Sequence, residues 1–156
     1  SLEIEGPEGS RTLPLAELHR LPGDTPQIET TLRPGELITA VELPAPDAGA
    51  TQVYRKVRDR ASYAFALVSV AVVIRTNGER IATARIACGG VAHKPWRDPA
   101  VEAALAGGTP GRALFEHAAD VLLADARGRG GNDFKLPLLR RVLVAVLADA
   151  TSGHRQ

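Results

Sequence analysis

The densest run of reactive side chains is Tyr54-Arg55-Lys56-Val57-Arg58-Asp59-Arg60-Ala61-Ser62-Tyr63, where four cations meet one carboxylate and an aromatic ring closes each end. Guanidinium and ammonium groups donate to anionic oxygens, so cations and hydroxyls leading from a strand into a loop suit a phosphate or the edge of a flavin. The competing reading is a solvated strand end whose alternate residues face water, the usual fate of charge-rich surface. Spacing alone does not separate the two.

A second candidate is Cys88-Gly89-Gly90-Val91-Ala92-His93-Lys94-Pro95-Trp96-Arg97. Paired glycines allow close backbone approach, and a histidine, two cations and the single tryptophan follow, which suits a ligand or a partner. The favoured alternative is structural: Gly89-Gly90 forms a bulge or tight strand exit and Trp96 covers the sheet. His19, His93, His117 and His154 share no metal-ligand spacing, and His117 reads as part of a solvated helix face. No G-x-S-x-G, P-loop or G-x-G-x-x-G occurs. The Gly128-Arg129-Gly130-Gly131 run reads as a flexible connector. Cys88 follows an apolar strand and reads as a packed residue rather than a nucleophile.

The composition narrows the classes. In 156 residues, 19 Lys and Arg face 18 Asp and Glu, a net charge of +1 that argues against a general nucleic-acid binder. No stacking-aromatic pattern accompanies the cations, which weakens an RNA-binding reading further. One cysteine excludes an internal disulfide, and neither an iron–sulfur cluster nor a Cys-rich zinc site can form on it. The longest apolar run, residues 64–74, is too short to span a bilayer as a helix. The chain begins without Met in strand-like sequence, and the expectation is a processed chain or a piece of a longer one.

These residues need elements to position them. The Pro- and Gly-rich stretch over residues 43–50 should continue neither a helix nor a central strand, and it marks a subdomain boundary. Before it, residues 2–4 read as a strand, residues 13–18 as a short helix or turn, and residues 37–43 as a strand with apolar positions at 37, 41 and 43, following the Arg33-Pro34-Gly35-Glu36 turn. So short a piece offers too few core positions to fold alone. After the boundary, residues 52–57 read as a strand, and residues 67–75 and 80–87 as a hairpin whose Asn77-Gly78 suits a type I′ turn. Three helices follow. Asp98-Pro99 caps the first, which runs to Ala106; residues 111–126 and 134–148 carry apolar stripes at helical spacing, Leu114 to Leu122 and Leu138 to Leu147. Strands first and helices after them predict an α+β fold: a mainly antiparallel three- to four-stranded sheet with three helices packed on one side.

Three segments in order resemble one family: residues 32–44 (LRPGELITAVELP), residues 54–64 (YRKVRDRASYA) and residues 84–97 (ARIACGGVAHKPWR), with Asn132-Asp133-Phe134-Lys135 before the last helix. They resemble the FAD-binding medium subunit of bacterial molybdenum hydroxylases, most closely the xanthine or aldehyde dehydrogenase type. The resemblance implies the fold of the carbon monoxide dehydrogenase flavoprotein C-terminal domain. It implies FAD contacts at Ile38 and Lys56, with Arg60, Ser62 and Tyr63 as second-rank contacts beside the isoalloxazine. It implies no catalytic nucleophile, acid or base and no metal site in this chain. Partners implied are an iron–sulfur small subunit, a molybdopterin large subunit and the upstream FAD-binding half of the same subunit; nucleic acid and membrane are not expected. The family's main FAD cradle, a Gly-rich segment with a following loop, has no counterpart in residues 1–32. Residues 1–46 are therefore expected to be the end of the second FAD-binding subdomain, and residues 47–156 the carboxy-terminal domain. The expected compartment is the cytoplasm, with periplasmic export of a folded complex as the alternative. An alternative function is a subunit-interaction domain without flavin contact, which exposed helix stripes would favour and buried ones would not.

Overall fold

The computed structural model describes residues 1–152, so His154 lies outside the described residues. The chain divides into two compact units, Ser1–Asp47 and Ala48–Gln156.

The first unit is a three-stranded antiparallel sheet in the order β2-β1-β3, built from β1 (Leu2–Gly6), β2 (Gly9–Leu13) and β3 (Leu37–Val41). A one-turn helix, α1 (Leu15–Leu18), follows β2, with Pro14 presetting φ at its start. The core is small: Leu2, Ile4, Leu13 and Leu18 are buried, with Leu32 and Ile38 packed against them. Two expectations are corrected. β2 was not anticipated, because only Leu13 of its five residues is buried and the rest show no apolar alternation. β3 presents the opposite face from the one its apolar residues suggest: Leu37, Val41 and the following Leu43 are exposed, while Ile38 and Ala40 turn inward.

The second unit carries an antiparallel sheet in the order β4-β5-β6: β4 (Thr51–Val57), β5 (Val68–Asn77) and β6 (Arg80–Gly89). Helices α2 (Pro99–Leu105), α3 (Arg112–Leu123) and α4 (Lys135–Thr151) follow. α4 packs on β4 and β5, α2 packs on β6, and α3 contacts both other helices, so the expected α+β layer is what forms. Val70, Val72, Ile74, Ala84, Ile86 and Cys88 supply the sheet's side of the core. Against them lie Phe115, Ala118 and Leu122 of α3 and Leu139, Val142, Leu143, Val146 and Leu147 of α4. Each fully buried Leu or Val contributes about 1.5–3 kcal/mol relative to exposure, which makes α4 the largest single contributor to this layer.

Local chemistry explains the boundaries. The Asp98 carboxylate accepts from the Ala100 amide at 2.8 Å, and Pro99 occupies the first helical position. Pro137 sits in the first turn of α4, where no intrahelical acceptor exists for its missing N–H. The hairpin between β5 and β6 forms with a two-residue loop, Gly78-Glu79, in register Asn77↔Arg80. Gly78 has φ +58 whereas Asn77 and Glu79 do not have positive φ, the pattern of a type II′ turn rather than type I′. α3 stops at Leu123 instead of Ala126, and α4 continues to Thr151.

Candidate functional site

Alternation along β4 divides its cations between two environments. Arg55 is half-buried on the helix side, where its guanidinium pairs with Asp149 of α4. Lys56 is exposed on the face of the sheet turned away from the helices, and among the described residues its ammonium makes no hydrogen bond or ion pair. Across the strands Lys56 is in register with Ser69, and Ser69 with Gly89. Tyr54, also exposed, is in register with Ala71, and Ala71 with Ala87. Small residues on the two neighbouring strands thus leave a low floor beside a free ammonium and an exposed phenol. Ser69 is the one buried polar residue among those described, and Gly89 keeps the approach to it open: a Cβ there would sit 2.6 Å from Ser69 Oγ.

The loop after β4 continues the site. Lys56 and Arg60 line one shallow depression together with Arg58 and Asp59. The Arg60 guanidinium donates to the Tyr63 carbonyl, closing the loop on itself. Tyr63 is the one residue other than glycine with positive φ among those described, at +49, and its side chain is 95% exposed. Ser62 is exposed, and Phe65 is 97% exposed. A left-handed tyrosine costs of order 1–3 kcal/mol, and two aromatic rings in water add to that, the profile of a loop shaped for a ligand or partner.

Ile38 belongs to the first unit. It faces Ile4 in register, and its half-buried side chain packs on the Leu2/Ile4/Leu13/Leu18 cluster. β3 is an edge strand, so its outer side has no strand partner within the first unit.

The profile of the CO dehydrogenase flavoprotein C-terminal domain matches residues 41–150, most of the chain and all of β4 to β6, α2 and α3. The chain belongs to this family. It is 52% identical over 150 residues to the aldehyde oxidoreductase FAD-binding subunit PaoB of Escherichia coli, covering 96% of this chain and 44% of that protein. It is 30% identical over 146 residues to the carbon monoxide dehydrogenase medium chain of Afipia carboxidovorans, covering 92% and 47%. The fold matches a chain of the carbon monoxide dehydrogenase of Hydrogenophaga pseudoflava with a TM-score of 0.82 at 27% identity, covering 97% of this chain and 52% of that one. The chain therefore spans about half the length of the relatives it matches.

Within this flavoprotein domain the second candidate segment is tied into the fold. Cys88 and Trp96 exchange two main-chain hydrogen bonds of 2.8 Å, and the half-buried Trp96 packs on the core. Arg97 donates to both carboxylate oxygens of Glu102 on α2, at 2.8 and 3.0 Å, and holds that carboxyl below its usual range. Lys135, at the start of α4, donates to the Gly90 carbonyl at 2.7 Å. Of this segment's charged and imidazole side chains, His93 and Lys94 are exposed and make no hydrogen bond or ion pair among the described residues. Residues 128–131 are likewise anchored: Asn132 and Asp133 side chains accept from the Arg129 and Gly130 amides. The two helix stripes lie in the core, so any docking by this domain uses other surface.

Cys88 is 1% exposed, and burial pushes its thiol up to about 11. At pH 8 a disulfide reagent is expected to label it more than about a hundredfold slower in the folded chain than in urea, because thiolate and access are both missing. Equal rates would mean that β6 opens readily. Among the described residues no group of three His, Cys, Asp or Glu side chains converges, and no helix is long and apolar enough to cross a membrane.

Sequence reasoning overlooked Phe65 and Ser69, and it did not place Tyr54 and Gly89 on one sheet face with Lys56. The alternation of β4 against β5 and β6 could have signalled all but Phe65, since each lies in register on the face that carries Lys56.

Proposed function

We propose that this chain is the carboxy-terminal half of the FAD-binding electron-transfer subunit of a molybdenum hydroxylase of the xanthine or aldehyde dehydrogenase type. The observation that carries the reading is Lys56, an unpaired ammonium on an open sheet face floored by small residues. Such a floor admits a planar ring, and the ammonium donates to an anionic or carbonyl oxygen at its edge. FAD, when bound, supplies the redox centre that receives electrons from iron–sulfur clusters and passes them to an acceptor.

The chain's own residues bind and tune. Lys56 holds the edge of the group, and a fixed cation there lowers the free energy of negative charge placed beside it. Ile38 adds a main-chain contact from β3. Arg60 shapes the loop through the Tyr63 carbonyl, leaving Ser62 and the Tyr63 ring to face the ligand. In this reading residues 1–46 end the second FAD-binding subdomain and residues 47–156 form the carboxy-terminal domain. The exposed Leu37, Val41 and Leu43 support it, because they form apolar surface that the upstream half of the subunit would cover. An iron–sulfur small subunit and a molybdopterin large subunit complete the complex, in the cytoplasm or exported folded.

The test is Lys56→Ala in the complete complex. The expected result is an FAD Kd raised about tenfold, the loss of one charge-assisted hydrogen bond, with slower reduction of the final acceptor and unchanged chemistry at the molybdenum site. Unchanged flavin content and acceptor kinetics, with impaired subunit assembly, would instead favour a pure interaction domain.

A further inference from the structure

β3 meets only β1, and its outer edge lacks a strand partner within the first unit. A main-chain contact from such an edge is only as exact as the strand's register and twist, and its ladder with β1 shifts register between Glu3 and Ile4, which leaves Thr39, the neighbour of Ile38, as the extra residue. Something other than the ladder must hold it. Arg11 of β2 lies in the same cross-strand row as Ile4 and Ile38. Its guanidinium reaches Glu36, two residues before Ile38, with Nε to Oε1 and Nη2 to Oε2 both at 2.7 Å. The two partners therefore start from opposite edges of the sheet and meet across β1.

The fold makes room for this arm. Gly6 of β1 lies under Glu36, and a Cβ there would stand 2.8 Å from Glu36 Cγ. Glu36 Oε2 also accepts from the Arg33 amide at 2.7 Å, and the Glu36 amide donates to the Arg33 carbonyl at 3.0 Å, which closes the Arg33-Pro34-Gly35-Glu36 turn. The Glu36 side chain is 7% exposed, and these bonds, that from Arg11 foremost, lower its carboxyl to about 2. The pair is thus fully charged above pH 4.5 and loses its stabilising effect only as pH falls toward 2.

We propose that Arg11 and Glu36 are positioning residues for the flavin: a bidentate clamp across the sheet that fixes the main chain of Ile38 at the open edge of β3. The proposal rests on the flavin reading above. A bidentate Arg–carboxylate pair suits this role because its planar geometry sets orientation as well as distance.

The test uses the complete flavoprotein subunit and FAD itself, with Kd read from fluorescence quenching, the visible flavin spectrum recorded, and folding followed by circular dichroism. Glu36→Gln is expected to raise the FAD Kd about tenfold and to alter the bound flavin's spectrum, and Arg11→Lys, a milder variant that keeps one ionic bond, to raise it less. Leu18→Ala, which destabilises the same unit away from the turn, is expected to lower Tm without changing Kd. The clamp is overturned if Kd is unchanged in Glu36→Gln, or if Leu18→Ala raises it as much. Loss of affinity in Lys56→Ala with none in Glu36→Gln overturns the clamp alone, whereas retention of FAD in both overturns the flavin reading and the clamp with it.

Discussion

Truncating Leu143 to alanine is expected to lower the stability of the second unit by about 3–5 kcal/mol, the largest effect of any single side chain in the sheet-and-helix layer. Leu143 is fully buried in the middle of α4, the helix that touches β4, β5 and α3, so no one neighbour can collapse into the space it leaves. The loss combines the missing transfer free energy with a cavity lined by elements that are anchored elsewhere. Trp96 is the chain's single tryptophan and packs half-buried on the same core, so its fluorescence in a urea titration reports this unit specifically. A midpoint shifted to lower urea at unchanged slope is the expected pattern. Leu15→Ala serves as the control: that side chain is 54% exposed, and its removal should change stability by under about 0.5 kcal/mol. A loss below about 1 kcal/mol at Leu143 would mean that the α4 stripe is not the core it resembles.

The contrast between α4 and β3 shows which parts of this fold a sequence can reveal. Leu139, Val142, Leu143, Val146 and Leu147 repeat at helical spacing and all prove buried, because a long helix with one apolar face has only one way to hide it. β3 has the reverse logic. Its more apolar residues, Leu37 and Val41, point outward, and its buried side is provided by Ile38 and Ala40. Alternation alone cannot say which phase faces a core when the core is as small as four residues. β2 was illegible for a related reason, since its Ser10, Arg11 and Thr12 carry no apolar signal and pair with β1 only through a turn at Pro7-Glu8.

The candidate site divides in the same way. The cations of residues 55–60 were visible as a cluster, but charge density could not distinguish Arg55, engaged with Asp149 from 94 positions away, from Lys56, which is left free. Family resemblance singled out Lys56; the sheet register explains the difference in physical terms. The Arg11–Glu36 pair spans 25 positions and reaches across β1, and only the folded three-stranded sheet brings its members together.

Replacing Gly90 with alanine is expected to cost about 2–4 kcal/mol and to disturb the loop that bears Arg60, Ser62 and Tyr63. Gly90 has φ +77, and a side chain in that region is strained by about 1–2 kcal/mol before any contact is considered. Contact makes it worse. A Cβ at this position would lie 2.8 Å from the Leu67 carbonyl oxygen and 3.1 Å from that of Ala66, both main-chain atoms that cannot rotate away. Leu67 is pinned in turn, its amide donating to Val57 at 2.8 Å, so relief must come from residues 58–66 or from the end of β6. Overpacking of this kind adds about 1–3 kcal/mol. The expected readouts are a lower urea midpoint by Trp96 fluorescence and, in the complete flavoprotein subunit, a weaker FAD affinity together with a shifted flavin spectrum. Gly131→Ala separates this from generic glycine loss, because nothing lies within 4 Å of its Cβ position and its φ lies outside the left-handed region; stability there should stay within about 0.5 kcal/mol. Should Gly90→Ala prove as mild as Gly131→Ala, the strand exit is not the buttress of the loop that bears Arg60, Ser62 and Tyr63, and the placement of Tyr63 must depend on the Arg60 contact alone.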